Sequence, residues 1–150
     1  MATFAINKRA KADYKLLETF DAGIKLSGAE VKSVKGGGLK LTGSYVTVNR
    51  GQLQLTNAHI APYKPAGVQE DYDPKRSRQL LVKKSELRTI AGMLNEKGLT
   101  LLALKAYSKK NLVKLEIAVA RGKKQFEKRE SIKKSEDQRS MRRALRERNR

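Results

Sequence analysis

The sequence predicts a mainly β fold, a small antiparallel barrel with short helices followed by a basic tail, and three observations carry that prediction. Five runs alternate or are β-branched as strands do, while a helical period appears only between them. Two of the connections, Arg50-Gly51 and Ser108 to Asn111, read as hairpin turns. The apolar pattern stops after Ala120. Three strands, a helix and two strands, with an extra small helix after the first strand, is the element order of the OB fold, a five-stranded, partly open Greek-key barrel.

Residues 1–12, with Asn7-Lys8-Arg9 and Lys11, show no period and are expected to be a basic arm. Beyond them Tyr14, Leu16, Phe20, Ile24 and Leu26 place apolar side chains on even positions, predicting one long strand bent at Asp21-Ala22-Gly23. Closing a small barrel needs a strand of this kind. Asp21 is selected there either by turn chemistry or by a bulge that aims its carboxylate outward. Ser27-Gly28-Ala29-Glu30 has the spacing of a capping box, so a helix starts at that point. Val31 and Val34 share one side of it, Lys32 and Lys35 lie near its negative end, and Gly36-Gly37-Gly38 stops it. Such a helix, about eight residues long, does not hold in water unaided and must dock, with the open end of a small sheet as the expected place.

Residues 44–49 and 52–60 form the first hairpin. His59, near its end, is the chain's single histidine, and a lone histidine is more often packed or solvated than a base. Residues 61–79 hold all three prolines and end in Lys75-Arg76-Ser77-Arg78, which predicts a long loop whose basic end favours phosphate. Leu87, Ile90, Ala91 and Leu94 make one helical face, closed by Gly98. Residues 99–107 and 112–120 pair as the second hairpin, with Val113, Leu115, Ile117 and Val119 buried and Lys114, Glu116, Ala118 and Ala120 on the wet side.

The chain has 34 basic and 15 acidic residues, a net charge of +19, and a field of that strength draws polyanions, nucleic acid first. No run approaches a membrane span and residues 1–9 lack the apolar core of a signal peptide, so a cytoplasmic protein with no membrane partner is expected. Without cysteine and with one histidine, neither a metal site nor a cofactor is expected. No constellation supports catalysis. At 150 residues the chain has room for an arm (1–12), a barrel (13–122) and a tail (123–150). Residues 121–150 carry 13 basic and 5 acidic groups and few large apolar ones, which predicts disorder when free. From Asp137 the residues favour helix, with Met141 and Leu145 four apart, so the tail can become helical on RNA. A tail that only adds charge is the alternative. For Glu30 the cap already explains the position, and contact with an RNA base edge or ribose is the second reading.

Five motifs in order then make the chain resemble the SmpB (small protein B, SsrA-binding protein) family: Asn7-Lys8-Arg9-Ala10, Phe20-Asp21-Ala22-Gly23, Gly28 to Ser33, Asp73 to Arg78, and Ala120 to Lys124. The resemblance implies a non-enzymatic, monomeric partner of transfer-messenger RNA (tmRNA) in ribosome rescue. In that reading the barrel grips the tRNA-like domain and the tail occupies the small-subunit decoding site and mRNA channel. Carried over by motif, Asn7, Tyr14, Asp21, Leu81 and Lys114 hold the tRNA-like domain, Leu81 through packing. Lys8, Arg9, Glu30, Lys32, Arg76, Arg78, Lys123 and Lys124 complete that surface. The ribosome-facing tail set is Phe126, Glu127, Lys128, Arg129, Lys133, Lys134, Met141, Arg142, Arg143 and Leu145. The chain departs from the family in having Asp21 where Glu is common, Ala12 and Phe126 where His is common, and Glu127 in place of Asp before Lys128-Arg129. A general ribosomal or cold-shock-like RNA binder is the rival, and the scatter of eight Phe and Tyr residues counts against it.

Overall fold

The structure, a computed structural model, describes residues 2–67, 71–123, 139 and 141–143. Its strands are β1 (Thr3–Ile6), β2 (Tyr14–Ile24), β3 (Leu39–Lys40), β4 (Tyr45–Asn49), β5 (Gln52–Thr56), β6 (His59–Ile60), β7 (Arg78–Leu81), β8 (Leu99–Lys109) and β9 (Leu112–Gly122). Helices α1 (Lys8–Asp13), α2 (Gly28–Lys35) and α3 (Lys84–Leu94) accompany them, with a short 3-10 turn at Lys64–Ala66. Six strands close an antiparallel ring in the order β8-β4-β5-β7-β2-β9, with β9 returning to β8. The mainly β, OB-like barrel expected from the element order is therefore present.

Turn chemistry sets the two hairpins. Arg50 and Gly51 have φ of 51° and 74°, and Lys110 and Asn111 have 50° and 64°. These are tight two-residue connections, matching the twist of the strands they join. The second turn is shorter than the four-residue span expected, because β8 runs on to Lys109. Leu53, Leu55, Leu101, Leu115 and Ile117 meet inside the ring, each no more than 1 % exposed. Each such side chain contributes about 1.5–3 kcal/mol of apolar burial. The ring is thinnest between β4 and β8, where Val46 opposite Leu101 is the pairing.

The arm expected over residues 1–12 is not without regular structure where it is described, from residue 2 on. β1 pairs with Lys105 to Tyr107 of β8, on the stretch of that strand beyond β4. An exposed strand edge is covered in this way. α1 then places Ala10 in a second cluster with Leu102, Leu104, Ala118 and Ala120 on the outside of the ring. Ala118 and Ala120 are thus buried rather than wet, and the wet side of β9 narrows to Lys114 and Glu116.

The break in β2 lies at Leu17 instead of Asp21 to Gly23, since the pairing with β9 slips between Leu16 and Glu18. One extra residue reverses which face a strand's side chains occupy. Tyr14 and Leu16 therefore join the outer cluster under α1, while Phe20 and Ala22 enter the barrel, although all four are even-numbered. Two further differences are local. Asn57, at φ 63°, ends β5, so that β6 leaves to pair with β3 as a separate two-stranded sheet. On α3, Ala91 is exposed and Met93 packs instead beside Leu87, Ile90 and Leu94. α2 holds as expected, with Val34 fully buried and the Ser33 hydroxyl donating to the Ala61 carbonyl at 2.6 Å.

Candidate nucleic-acid interface

The outer face of β8, β9, β2 and β7 is where register gathers chemistry from distant parts of the chain. Tyr107 lies opposite Lys114, Lys114 opposite Gly23, and Gly23 opposite Leu81, giving one row across four strands. In the next row Lys105 lies opposite Glu116, and Glu116 opposite Asp21. Gly23 leaves a gap in the first row. A β-carbon there would touch the Leu81 side chain at 3.5 Å and Lys114 Nζ at 3.7 Å, so the two side chains meet over the glycine. Leu80 points into the core, whereas Leu81 stands 48 % exposed. Any packing by Leu81 is thus against a partner or this shallow outer cleft, and not within the barrel. The structure brings Asp21, Leu81 and Lys114 together, and adds Lys105 and Tyr107, which sequence reasoning passed over, and Glu116, which it read only as a wet-face residue.

Within this face Tyr107 donates its hydroxyl to Asp21 Oδ1 at 2.6 Å. Burial, helped by the Asp21 carboxylate, pushes the Tyr107 phenol up to about 12, so it remains a donor at neutral pH. Lys105 Nζ sits 5.7 Å from the centre of the Tyr107 ring and 3.7 Å from Glu116. A cleft of about 460 Å³ opens here, lined by Thr3, Asp21, Lys105, Tyr107, Lys109 and Glu116.

Glu30 and Arg78, expected at the RNA surface, are instead an internal pair, 1 % and 0 % exposed. The capping box forms in full: Ser27 Oγ accepts from the Glu30 amide at 3.2 Å and Glu30 Oε1 accepts from the Ser27 amide at 3.0 Å. Arg78 then donates Nε and Nη2 to Glu30 Oε2 at 3.0 and 2.6 Å, Nη1 to the Ala58 carbonyl at 2.8 Å, and Nη2 to the Pro74 carbonyl at 3.0 Å. Arg76 also bonds Glu30 but keeps 41 % of its side chain at the surface. Burial alone would raise the Glu30 carboxyl; the Ser27 amide and the two guanidinium groups outweigh it and hold it at about 2. A buried charge with this many donors is held in place by the fold. Its work is to tie the long loop before β7 to α2. Direct readout of RNA by Glu30 or Arg78 is excluded by burial, and of the basic loop end Lys75 and Arg76 are left facing outward.

The remaining candidates occupy other places. Asn7 is buried, its Nδ2 donating to the Ala103 carbonyl at 3.0 Å, so it fastens α1 to β8. It borders a polar cleft of about 340 Å³ shared with Arg9, Asp13, Tyr14, Tyr45 and Thr100. Lys8 and Arg9 are exposed on α1. Lys32 Nζ lies 5.8 Å from the Tyr63 ring centre. Lys123 donates to the Lys11 carbonyl at 2.9 Å, placing its charge at the C-terminal end of α1. Met141, Arg142 and Arg143 are helical and exposed. Lys124, Phe126, Glu127, Lys128, Arg129, Lys133, Lys134 and Leu145 lie outside the described residues.

The family model described as SmpB protein matches residues 4–147. An SsrA-binding protein of Nostoc sp. is 45 % identical over 139 residues, covering 93 % of this chain and 90 % of that protein. An SsrA-binding protein of Latilactobacillus sakei is 44 % identical over 144 residues, covering 96 % and 92 %. Among solved structures, a chain from one described as "tmRNA-SmpB: a journey to the center of the bacterial ribosome" superposes with a TM-score of 0.67 at 44 % identity, covering 83 % of this chain and 87 % of that one. The match spans both clusters, the ring and the Glu30 network, and the chain belongs to the SmpB family.

Proposed function

We propose that this chain binds tmRNA and brings it to stalled ribosomes in trans-translation. The outer face of β7, β2, β9 and β8 grips the tRNA-like domain. Residues 123–150, with net basic charge and an exposed helical stretch at Met141 to Arg143, occupy the decoding site and messenger channel. The observation that carries the reading is the register that joins Asp21, Lys114 and Leu81 from three strands into one patch, with Asp21 and Leu81 exposed and Lys114 half-buried. Family membership and the net charge of +19 support it. The work is binding without catalysis, done in the cytosol where ribosomes act. Because β1 and α1 pair and pack with the ring, the RNA-binding body is residues 2–122.

Three chains test the reading: the full protein, a chain stopped after Gly122, and a chain with residues 127–150 scrambled at constant composition. All three are expected to bind a transcribed tRNA-like domain, the truncated chain more weakly for its lost charge. Only the full chain is expected to support peptide tagging on stalled ribosomes. Tagging by the scrambled chain at the normal rate would reduce the tail to an electrostatic anchor, and failure of the full chain to bind the tRNA-like domain would remove the barrel's assignment.

A further inference from the structure

Strand packing alone does not account for the acidic residues of the outer face. Asp21 and Glu116 are direct cross-strand partners, and like charges opposite each other weaken a sheet. Glu116 has a cation in return, Lys105, 3.7 Å away. Asp21 has none among the described residues. Its Oδ1 accepts from the neutral Tyr107 hydroxyl, and no hydrogen bond among the described residues reaches Oδ2. Tyr107 is only 6 % exposed and Asp21 is exposed, so the phenol lies covered on the outer wall of the barrel while the carboxylate stands at the mouth of the cleft. A carboxylate in that position repels phosphate and can accept only N–H or O–H donors.

We propose that Tyr107 is a positioning residue that fixes Asp21 so that its carboxylate accepts from a neutral donor of the bound RNA, a guanine Watson–Crick edge or a ribose 2′-hydroxyl. Guanine offers adjacent N1–H and N2–H donors, and the 2′-hydroxyl is the donor that separates RNA from DNA. Phosphate contacts from the lysines give affinity, and this contact gives discrimination. The inference rests on the RNA-binding reading of the same face.

The test measures binding of the full chain to the tRNA-like domain for wild type, Tyr107→Phe, Asp21→Asn and the double variant, with melting curves and salt slopes. Each single variant is expected to bind about tenfold more weakly, as befits a hydrogen bond to a charged group. The double variant is expected to be no weaker than the worse single. Salt slopes are expected to stay at the wild-type value, because no phosphate contact is removed. RNAs carrying inosine for guanosine, which removes the N2–H half of the guanine donor pair, or 2′-deoxyribose, at unpaired positions separate the two donors. The substitution that removes the true donor weakens wild type about tenfold and leaves Asp21→Asn unchanged. Multiplying losses in the double variant, a salt slope lowered by one contact, loss of binding that tracks a lowered melting temperature, or indifference of wild type to both RNA substitutions would overturn the proposal. A wild-type chain that does not bind the tRNA-like domain would overturn the functional reading itself, a result separable from all of these.

Discussion

Replacing Glu30 by Gln is predicted to destabilise the barrel strongly while leaving its shape available. The carboxylate receives the Ser27 amide, Arg76 and a two-pronged contact from Arg78, which is itself fully buried. Lowering its pKa from 4.5 to about 2 corresponds to about 3 kcal/mol at neutral pH, at about 1.4 kcal/mol per unit. An independent figure agrees, since breaking a buried ion pair by removing one partner costs about 3–5 kcal/mol. For a domain of this size that lowers the melting temperature by roughly 10 °C. The pH dependence has a definite sign. A carboxylate with a depressed folded pKa contributes its stability above the unfolded value, and loses it as pH falls toward about 2. Urea melts of wild type and Glu30→Gln should therefore differ by about 3 kcal/mol at pH 7 and converge between pH 4.5 and pH 2. A Glu30→Met/Arg78→Met double variant should lose less than either single change, because it leaves no charge stranded. A Gln variant as stable as wild type at pH 7, or a gap that stays constant on acidification, would refute the reasoning.

Leu81→Ala should change stability by no more than about 0.5 kcal/mol but weaken binding of the tRNA-like domain, whereas Leu80→Ala, at a site 3 % exposed, should cost about 2–5 kcal/mol; equal melting temperatures for the two would contradict the assigned faces. Lys114→Glu should lower the magnitude of the log-affinity salt slope by about 0.7–0.9 with an unaltered thermal transition, and a collapsed transition would make the residue structural. Gly38→Ala should cost about 1–3 kcal/mol in urea melts, because a methyl group there collides with Ser33 Oγ and lies 3.0 Å from the Ser33 carbonyl oxygen.

What could be read from the sequence was what local chemistry dictates. The Ser27/Glu30 cap, the Arg50-Gly51 turn and the alternation of Val113 to Val119 each need only near neighbours, and each is present. β1 was hidden because four residues with no period acquire their pairing from Lys105 to Tyr107, a hundred positions away. The slip at Leu17 was hidden for a different reason. A bulge leaves the composition of a strand untouched, so a regular even-numbered pattern masked a change of face. The site divides in the same way. Glu30 had a complete local explanation in its cap, which concealed the Arg78 partner 48 positions on. For Asp21 turn chemistry and an outward-aiming bulge were equal readings, and neither points to its partner Tyr107, 86 positions away.

The acids of the barrel show how a strongly basic protein can choose among RNAs. Glu30 is neutralised by two guanidinium groups in the interior, and Glu116 is paired with Lys105 at the surface. Among the described residues Asp21 alone of the three has no cationic partner and is held by a neutral hydroxyl, so its charge projects from a face that also carries Lys105 and Lys114. An RNA docked with a phosphate near Asp21 meets repulsion, and one that places a donor there does not. Repulsive elements of this kind fix register and reject wrong partners more than they add affinity. Asp21→Lys removes the repulsion and adds two units of positive charge. It should bind unrelated duplex RNA more tightly, by about the few-fold that one added cation–phosphate contact gives at moderate salt, while the advantage of the tRNA-like domain over that duplex shrinks. Paired titrations of the two RNAs at matched salt measure the ratio. If Asp21→Lys weakens both RNAs equally, or keeps the wild-type ratio, the carboxylate is part of the scaffold and has no share in discrimination.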